Sequence, residues 1–249
     1  MKIISIASSK GGVGKTTTVT NLGYALSKIG HRILLIDVDK QGNLANYFNL
    51  TSEKTLASFL KDTEKGVDII TVRENLDLIN SGKERLADTE KLLVMSRSPV
   101  KAMAKSFASL NGYDYVFLDL GPSLSLINEN ALFFCDEVFI PCSIGFFDMT
   151  GVDQLLRTIA DISKEERPTK PINLRGIFIN MFDKRTKLSE QIEAALKERF
   201  KKKLLKTKVR KNVAIAEAPA FHLTIQEYAP NSHGCQDFNE LAEEFLNSE

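Results

Sequence analysis

Between an apolar run at residues 3–8 and a helix-periodic segment at residues 16–29 stands Lys10-Gly11-Gly12-Val13-Gly14-Lys15-Thr16-Thr17. No other stretch restricts the fold of this chain so strongly. Glycines let successive backbone N–H groups turn into one concavity, and a following helix adds the positive end of its dipole. A strand, a glycine-rich loop and a helix opening on Gly-Lys-Thr make a phosphate cradle. In such a cradle Lys15 reaches the β- and γ-phosphates and the Thr16 hydroxyl ligates Mg2+. Gly11, Gly12, Val13, Gly14, Lys15, Thr16 and Thr17 are therefore the candidate nucleotide-binding residues. The usual spacing would put glycine at position 9; Ser9 stands there instead, and Lys10 begins the loop.

The remaining pattern suits that loop. Residues 32–39 are too uniformly apolar for a strand with one wet face. Further strands are expected at residues 76–79, 115–119, 138–141 and 174–180. Helices are expected at residues 90–110, 126–134, 150–163, 189–200 and 236–246. This alternation predicts a doubly wound α/β fold, a mainly parallel sheet flanked by helices. A length of 249 residues without repeat or linker suits one domain, 1–249. With a strand already at residue 3, no N-terminal helix-turn-helix region is expected.

Composition narrows the setting. No apolar stretch reaches the roughly 18 residues that suggest a membrane span. The N-terminus lacks the charged, apolar and small-residue order of a signal peptide. Cys135, Cys142 and Cys235 show no metal-ligand clustering, and they predict a reducing, cytoplasmic setting. His31, His222 and His233 are scattered without catalytic partners. The net charge of +1 hides a block at residues 197–211 with nine basic residues and one acid, an excess of eight that leaves the rest at −7. Lys202, Lys203, Lys206, Lys208, Arg210 and Lys211 in this block are the candidate contacts to a polyanion, expected at a helix end and loop.

Asp37 and Asp39 close the second strand, and only one of them is expected to address the γ-phosphate region. Asp119 follows Val116-Phe117-Leu118, as the acid of a Walker B strand does, and would hold Mg2+ through water. Ligands gather at such carboxyl ends of strands.

The phosphate loop, Asn21-Leu22-Gly23 and Ile36-Asp37-Val38-Asp39-Lys40-Gln41-Gly42-Asn43 stand in one order with three later motifs. These are Met181-Phe182-Asp183-Lys184-Arg185-Thr186, Glu217-Ala218-Pro219 and Glu227-Tyr228-Ala229-Pro230-Asn231-Ser232-His233-Gly234. Together they resemble the ParA/MinD group of deviant Walker A P-loop ATPases over nearly the whole chain, most of all the Soj-like, chromosomal type. The resemblance implies a DNA-partitioning ATPase using ATP and Mg2+. Its ATP-bound sandwich homodimer would bind double-stranded DNA nonspecifically. A ParB-type centromere-binding partner would stimulate slow hydrolysis and release it, so the protein would be cytoplasmic and nucleoid-associated, with no membrane partner. Lys10 would then reach across the dimer to the partner's phosphates and Asp39 would orient the attacking water. Asp37 would support the Mg2+ side with Thr16 and Asp119, and Asn180, at a strand end, would read the adenine edge.

A MinD-like membrane-cycling regulator of division-site placement is the alternative. It needs a basic amphipathic C-terminal helix, whereas residues 238–246 are acidic. A metabolic or metallocentre-assembly ATPase is disfavoured by the missing cysteine pair. The chain departs from the family pattern at Lys40 and Arg210, each in place of proline, and at Leu120-Gly121 in place of Thr-Pro. It departs again at Ser143 and Gly145, in place of Gln and Glu. These positions bear on switch-loop coupling and hydrolysis rate rather than on the phosphate cradle.

Overall fold

The computed structural model describes residues 1–123, 125–144 and 148–248. The departure at Gly145 and the Phe146-Phe147 pair, expected to pack in a core or interface, lie outside the described residues.

The strands are β1 (Lys2–Ile6), β2 (Ile33–Asp37), β3 (Ile70–Arg73), β4 (Leu76–Ile79), β5 (Tyr115–Asp119), β6 (Glu137–Ser143), β7 (Asn173–Phe182) and β8 (Leu204–Arg210). They form one sheet in the order β3-β4-β2-β5-β1-β6-β7-β8, parallel throughout except for β3 against β4. The helices that frame it include α1 (Lys15–Lys28), α2 (Asn43–Tyr47), α3 (Leu56–Lys61), α4 (Glu84–Val94) and α5 (Ala102–Ser106). Beyond these come α6 (Leu126–Phe134), α7 (Asp148–Glu165), α8 (Lys187–Phe200), α9 (Val213–Glu217), α10 (Ile225–Tyr228) and α11 (His233–Asn247).

The apolar strands divide their side chains between two cores. Ile33, Leu35 and Phe117 pack with Val19, Leu22 and Leu26 of α1 and Phe238, Leu241 and Phe245 of α11. Leu34, Ile36, Val116 and Leu118 face the other way, against Ile127, Ala131 and Leu132 of α6 and Leu196 of α8. Burial on both faces is why these strands read as continuous apolar runs. The doubly wound sheet expected from the sequence is the one observed.

Three expectations change. The helix expected at residues 90–110 is interrupted: α4 ends at Val94, Pro99–Lys101 form a short 3-10 turn, and α5 starts at Ala102. Pro99 disfavours helical backbone at Ser98 and cannot donate within a helix. β3 is an unforeseen antiparallel edge strand, mostly half-buried. The basic block is not a helix end and loop throughout: after a turn at Lys201–Lys203 it becomes β8, anchored by buried Leu204, Leu205 and Val209.

Candidate nucleotide site and basic edge

β1 pairs with β5 on one side and β6 on the other, so the loop leaving its carboxyl end opens at the point where connections diverge. Gly12 and Gly14 take the left-handed backbone, with φ of 76° and 88°. A side chain at Gly14 would also meet the Asn180 amide nitrogen at 2.3 Å from its Cβ, so only glycine fits. Lys15 is buried, and its Nζ donates to the Lys10 carbonyl at 2.8 Å. Burial lowers its pKa from the ordinary value, with Asp119 and Asp39 opposing that shift.

The three acids are held differently. Asp119 stands beside Ile6 and Asp37 in register and is fully buried, and among the described residues neither carboxylate oxygen has a hydrogen-bond partner within 3.5 Å. Burial pushes its pKa to about 7, a rise limited by the Thr16 hydroxyl and the Lys15 charge. Asp37 is equally buried, but its oxygens accept from the Asp39 N–H at 3.1 Å and the Ala45 N–H at 3.2 Å. Burial and the neighbouring Asp119 raise its pKa well above the carboxylate range. Asp39 accepts from the Gln41 N–H at 3.0 Å and lines the cavity above the loop. One acid of the strand-end pair therefore faces the cavity, and the reason is that β2 stops at Asp37 and the chain turns.

That cavity measures about 640 Å³. Gly11, Gly12, Gly14, Lys15, Thr16, Thr17 and Asp39, all candidates from the sequence, line it together. Its remaining wall comes from Gln41, Asn43, Asn46, Tyr47, Pro122, Met181, Pro219 and Ala220. Sequence reading missed these as site residues, although Met181 and Pro219 sit inside motifs it singled out. Asn180 is not part of the wall: its amide donates to the Val13 carbonyl at 2.8 Å and its oxygen accepts from the Met181 N–H at 3.0 Å. In this arrangement it ties the end of β7 to the phosphate loop. Val13 is buried under that loop.

No group of three or more His, Cys, Asp or Glu able to cage a metal occurs among the described residues. The donors present, a Thr16 hydroxyl and two orphaned Asp119 oxygens, instead suit a hard cation that keeps waters and arrives with phosphate ligands.

The basic edge is a second region. Lys202, Lys203, Lys206 and Lys211 are exposed and form no ion pair among the described residues. Lys208 and Arg210 are engaged within the chain. Lys208 pairs with Glu193 at 2.5 Å, and Arg210 grips the buried Asp237 through its side chain and through its backbone N–H at 2.8 Å. Glu244 of α11 accepts from the Lys206 and Thr207 N–H groups, both at 2.7 Å, and so covers part of the free strand edge. Cys135, Cys142 and Cys235 are buried and form no disulfide, as expected.

A family model described as "AAA domain" matches residues 1–172. The sporulation initiation inhibitor protein Soj of Bacillus subtilis (strain 168) is 36% identical to this chain, over 98% of this chain and 97% of its own. The chromosome-partitioning ATPase Soj of Thermus thermophilus is 34% identical, over 98% and 94%. Among solved structures, cobyrinic acid a,c-diamide synthase from Mycobacterium smegmatis with bound ATP analogue and magnesium superimposes with a TM-score of 0.81. It is 26% identical and the match covers 99% of this chain and 95% of that one.

Proposed function

The chain belongs to the ParA/Soj family of partitioning ATPases, and from that premise we propose that it is an ATP-dependent switch that moves DNA cargo. ATP fills the cavity above the glycine loop, with its phosphates on the loop N–H groups and Lys15. The Thr16 hydroxyl and Asp119 would hold Mg2+. When bound, this cation neutralises charge on the phosphates. Asp39 orients the attacking water, and Asp37 holds the Asp39 turn through its backbone bonds. Met181, Pro219 and Ala220 sandwich the base end, with Asn180 fixing the loop beneath. Lys10 completes the site of a second copy, so that ATP binding and homodimer formation are one equilibrium.

The observation that carries the nucleotide reading is Asp119: a fully buried carboxylate with both oxygens unpartnered, beside Lys15 and Thr16. An uncompensated buried acid is costly, and a site completed by cation and phosphate removes that cost.

Lys202, Lys203, Lys206 and Lys211 form the DNA surface, reading phosphates rather than bases, and dimerisation doubles the cations offered to one duplex. A ParB-type partner accelerates slow hydrolysis and so releases the dimer from the nucleoid. The membrane-cycling alternative finds no support in α11. The apolar face of that helix (Phe238, Leu241, Phe245) is buried against the sheet, and its exposed face is acidic. No described helix is long and apolar enough to cross a membrane.

The test is co-sedimentation with plain duplex DNA in ATP, ADP or no nucleotide, at two salt concentrations. Binding is expected only with ATP, with a log–log salt slope of roughly −0.9 per phosphate neutralised. Replacing Lys202, Lys203 and Lys206 together by Glu should abolish it and leave the ATP-dependent dimer on a sizing column. Lys208→Gln should change DNA affinity much less. Equal binding in ADP, or parental binding by the triple variant, would reject the assignment.

A further inference from the structure

The turn that carries Asp39 has an unusual support. The Gly42 N–H donates to the Asp39 carbonyl at 3.0 Å, which makes residues 39–42 a β-turn with Lys40 as its second residue. Proline favours that position because its fixed φ presets the turn; lysine leaves it loose. Here the Lys40 ammonium reaches out of the turn to Glu90 of α4, with Nζ 3.3 Å from Oε2. The other Glu90 oxygen accepts from the Ile127 N–H, in the first turn of α6, at 3.2 Å. The next residue, Asn128, donates its amide to the Gly121 carbonyl at 2.9 Å and also to that of Ser123. Gly121 in turn lies against Asp39: a Cβ there would stand 3.3 Å from the Asp39 carboxylate oxygen.

These contacts close a ring. It leaves Asp39 through the Lys40 side chain, passes through Glu90 and the head of α6, and returns through the loop after Asp119. Two of the chain's departures from its family pattern, Lys40 and Gly121, sit in this ring on either side of Asp39. Glu90 is its joint, and its side chain is only 16% exposed.

We propose that Glu90 is a positioning residue for ATP hydrolysis. It fixes the Asp39 turn relative to the Asp119 loop, and so holds the Asp39 carboxylate where it can orient water. The inference rests on the role given to Asp39 above. Glu90 touches none of the cavity, so its removal should change the turnover step and leave nucleotide affinity alone.

The experiment measures kcat and KM for ATP in the full chain and in five variants, with thermal melts to verify folding. Glu90→Gln keeps an acceptor for Ile127 and loses the ion pair, so kcat should fall roughly threefold. Glu90→Ala loses both contacts, and kcat should fall roughly tenfold or more. KM should stay within about twofold in each. Lys40→Ala should match Glu90→Gln, and Lys40→Pro should recover most of that loss because the ring of proline stiffens the turn by another route. Asp39→Ala runs in parallel and should lose nearly all turnover. If Glu90→Ala does not fold, Glu90→Gln and the two Lys40 variants decide. Parental kcat in the Glu90 variants beside an inactive Asp39→Ala would overturn the positioning role alone. Parental turnover in Asp39→Ala would remove the role of Asp39 and the inference with it. A loss expressed in KM, or Lys40→Pro as slow as Lys40→Ala, would make Glu90 merely structural.

Discussion

The two ends of one sheet treat buried charge in opposite ways. At the amino ends, Lys2 of β1 and Arg175 of β7 both pair with Glu137 of β6. Arg175 donates to Glu137 at 2.6 Å and to the Phe245 carbonyl near the end of α11 at 2.6 Å, with the Phe245 ring 3.9 Å beneath it. Burial alone would raise the Glu137 pKa, but hydrogen bonds from Arg175 and Lys2 outweigh it and hold the carboxyl below its usual range. At the carboxyl ends, Asp119 has no partner for either oxygen and is pushed up to about 7, while Lys15 is pulled down. Among the described residues the first arrangement leaves one nitrogen, the Arg175 Nε, without a partner, whereas the second leaves both oxygens of a carboxyl group without one. A buried carboxyl group with neither oxygen partnered therefore marks the ligand end more firmly than the charge count does.

Substitutions should separate the ends. Lys15→Ala removes the cation proposed to meet the β- and γ-phosphates and should weaken ATP binding by roughly 100-fold or more, measured by titration with a fluorescent nucleotide. Its melting temperature should change little, since Lys15 is bound only to a loop carbonyl. Arg175→Ala should do the reverse. It leaves Glu137 paired with Lys2 alone and the Phe245 carbonyl with only its Ser248 donors, at a cost of about 3 kcal/mol in denaturant unfolding, with ATP affinity unchanged. Nucleotide binding lost in Arg175→Ala under folding conditions would break the division between the two ends.

The carboxyl end was far more legible in the sequence than its surroundings were. The phosphate loop is contiguous, and its function follows from backbone geometry that glycine positions specify. The strands ending in Asp37 and Asp119 are apolar on both faces, so their existence was clear, although β2 was expected to run on to Asp39 and instead stops at Asp37. β8 was hidden because an edge strand defends itself with lysine, and Lys206 and Lys208 made a sheet element look like a charged loop. Its pairs, Lys208 with Glu193 and Arg210 with Asp237, join residues 15 and 27 positions apart, which no local spacing reveals. The cavity wall is likewise assembled from distant segments around Tyr47, Met181 and Pro219. Asn180 was noticed for its strand-end position, but only the structure shows that its amide is already committed to Val13.

Asp119→Asn gives the smallest effect and the sharpest test of the comparison, because its sign should depend on ligand. In the nucleotide-free chain this carboxyl keeps its proton to about pH 7, whereas in the unfolded chain it ionises near its ordinary 3.8. Between those values the folded state holds a proton that the unfolded state has released. The contribution of Asp119 to stability therefore falls as pH rises through that window, and levels off above it. Asparagine does not ionise, so the variant should lack this slope. At pH 8 without nucleotide it should be more stable than the parent by about 1–2 kcal/mol, or roughly 2–8 °C in melting temperature at this chain length. Saturating ATP and Mg2+ should reverse the order, since ligand stabilises the parent by an amount that grows with the logarithm of its concentration relative to Kd, and the variant binds the cation poorly. Thermal melts of both proteins at pH 5 and pH 8, with and without Mg2+ and ATP, supply all the comparisons. If the variant is less stable than the parent without ligand at pH 8, Asp119 is a satisfied structural acid like Glu137, and the two ends of the sheet are alike after all.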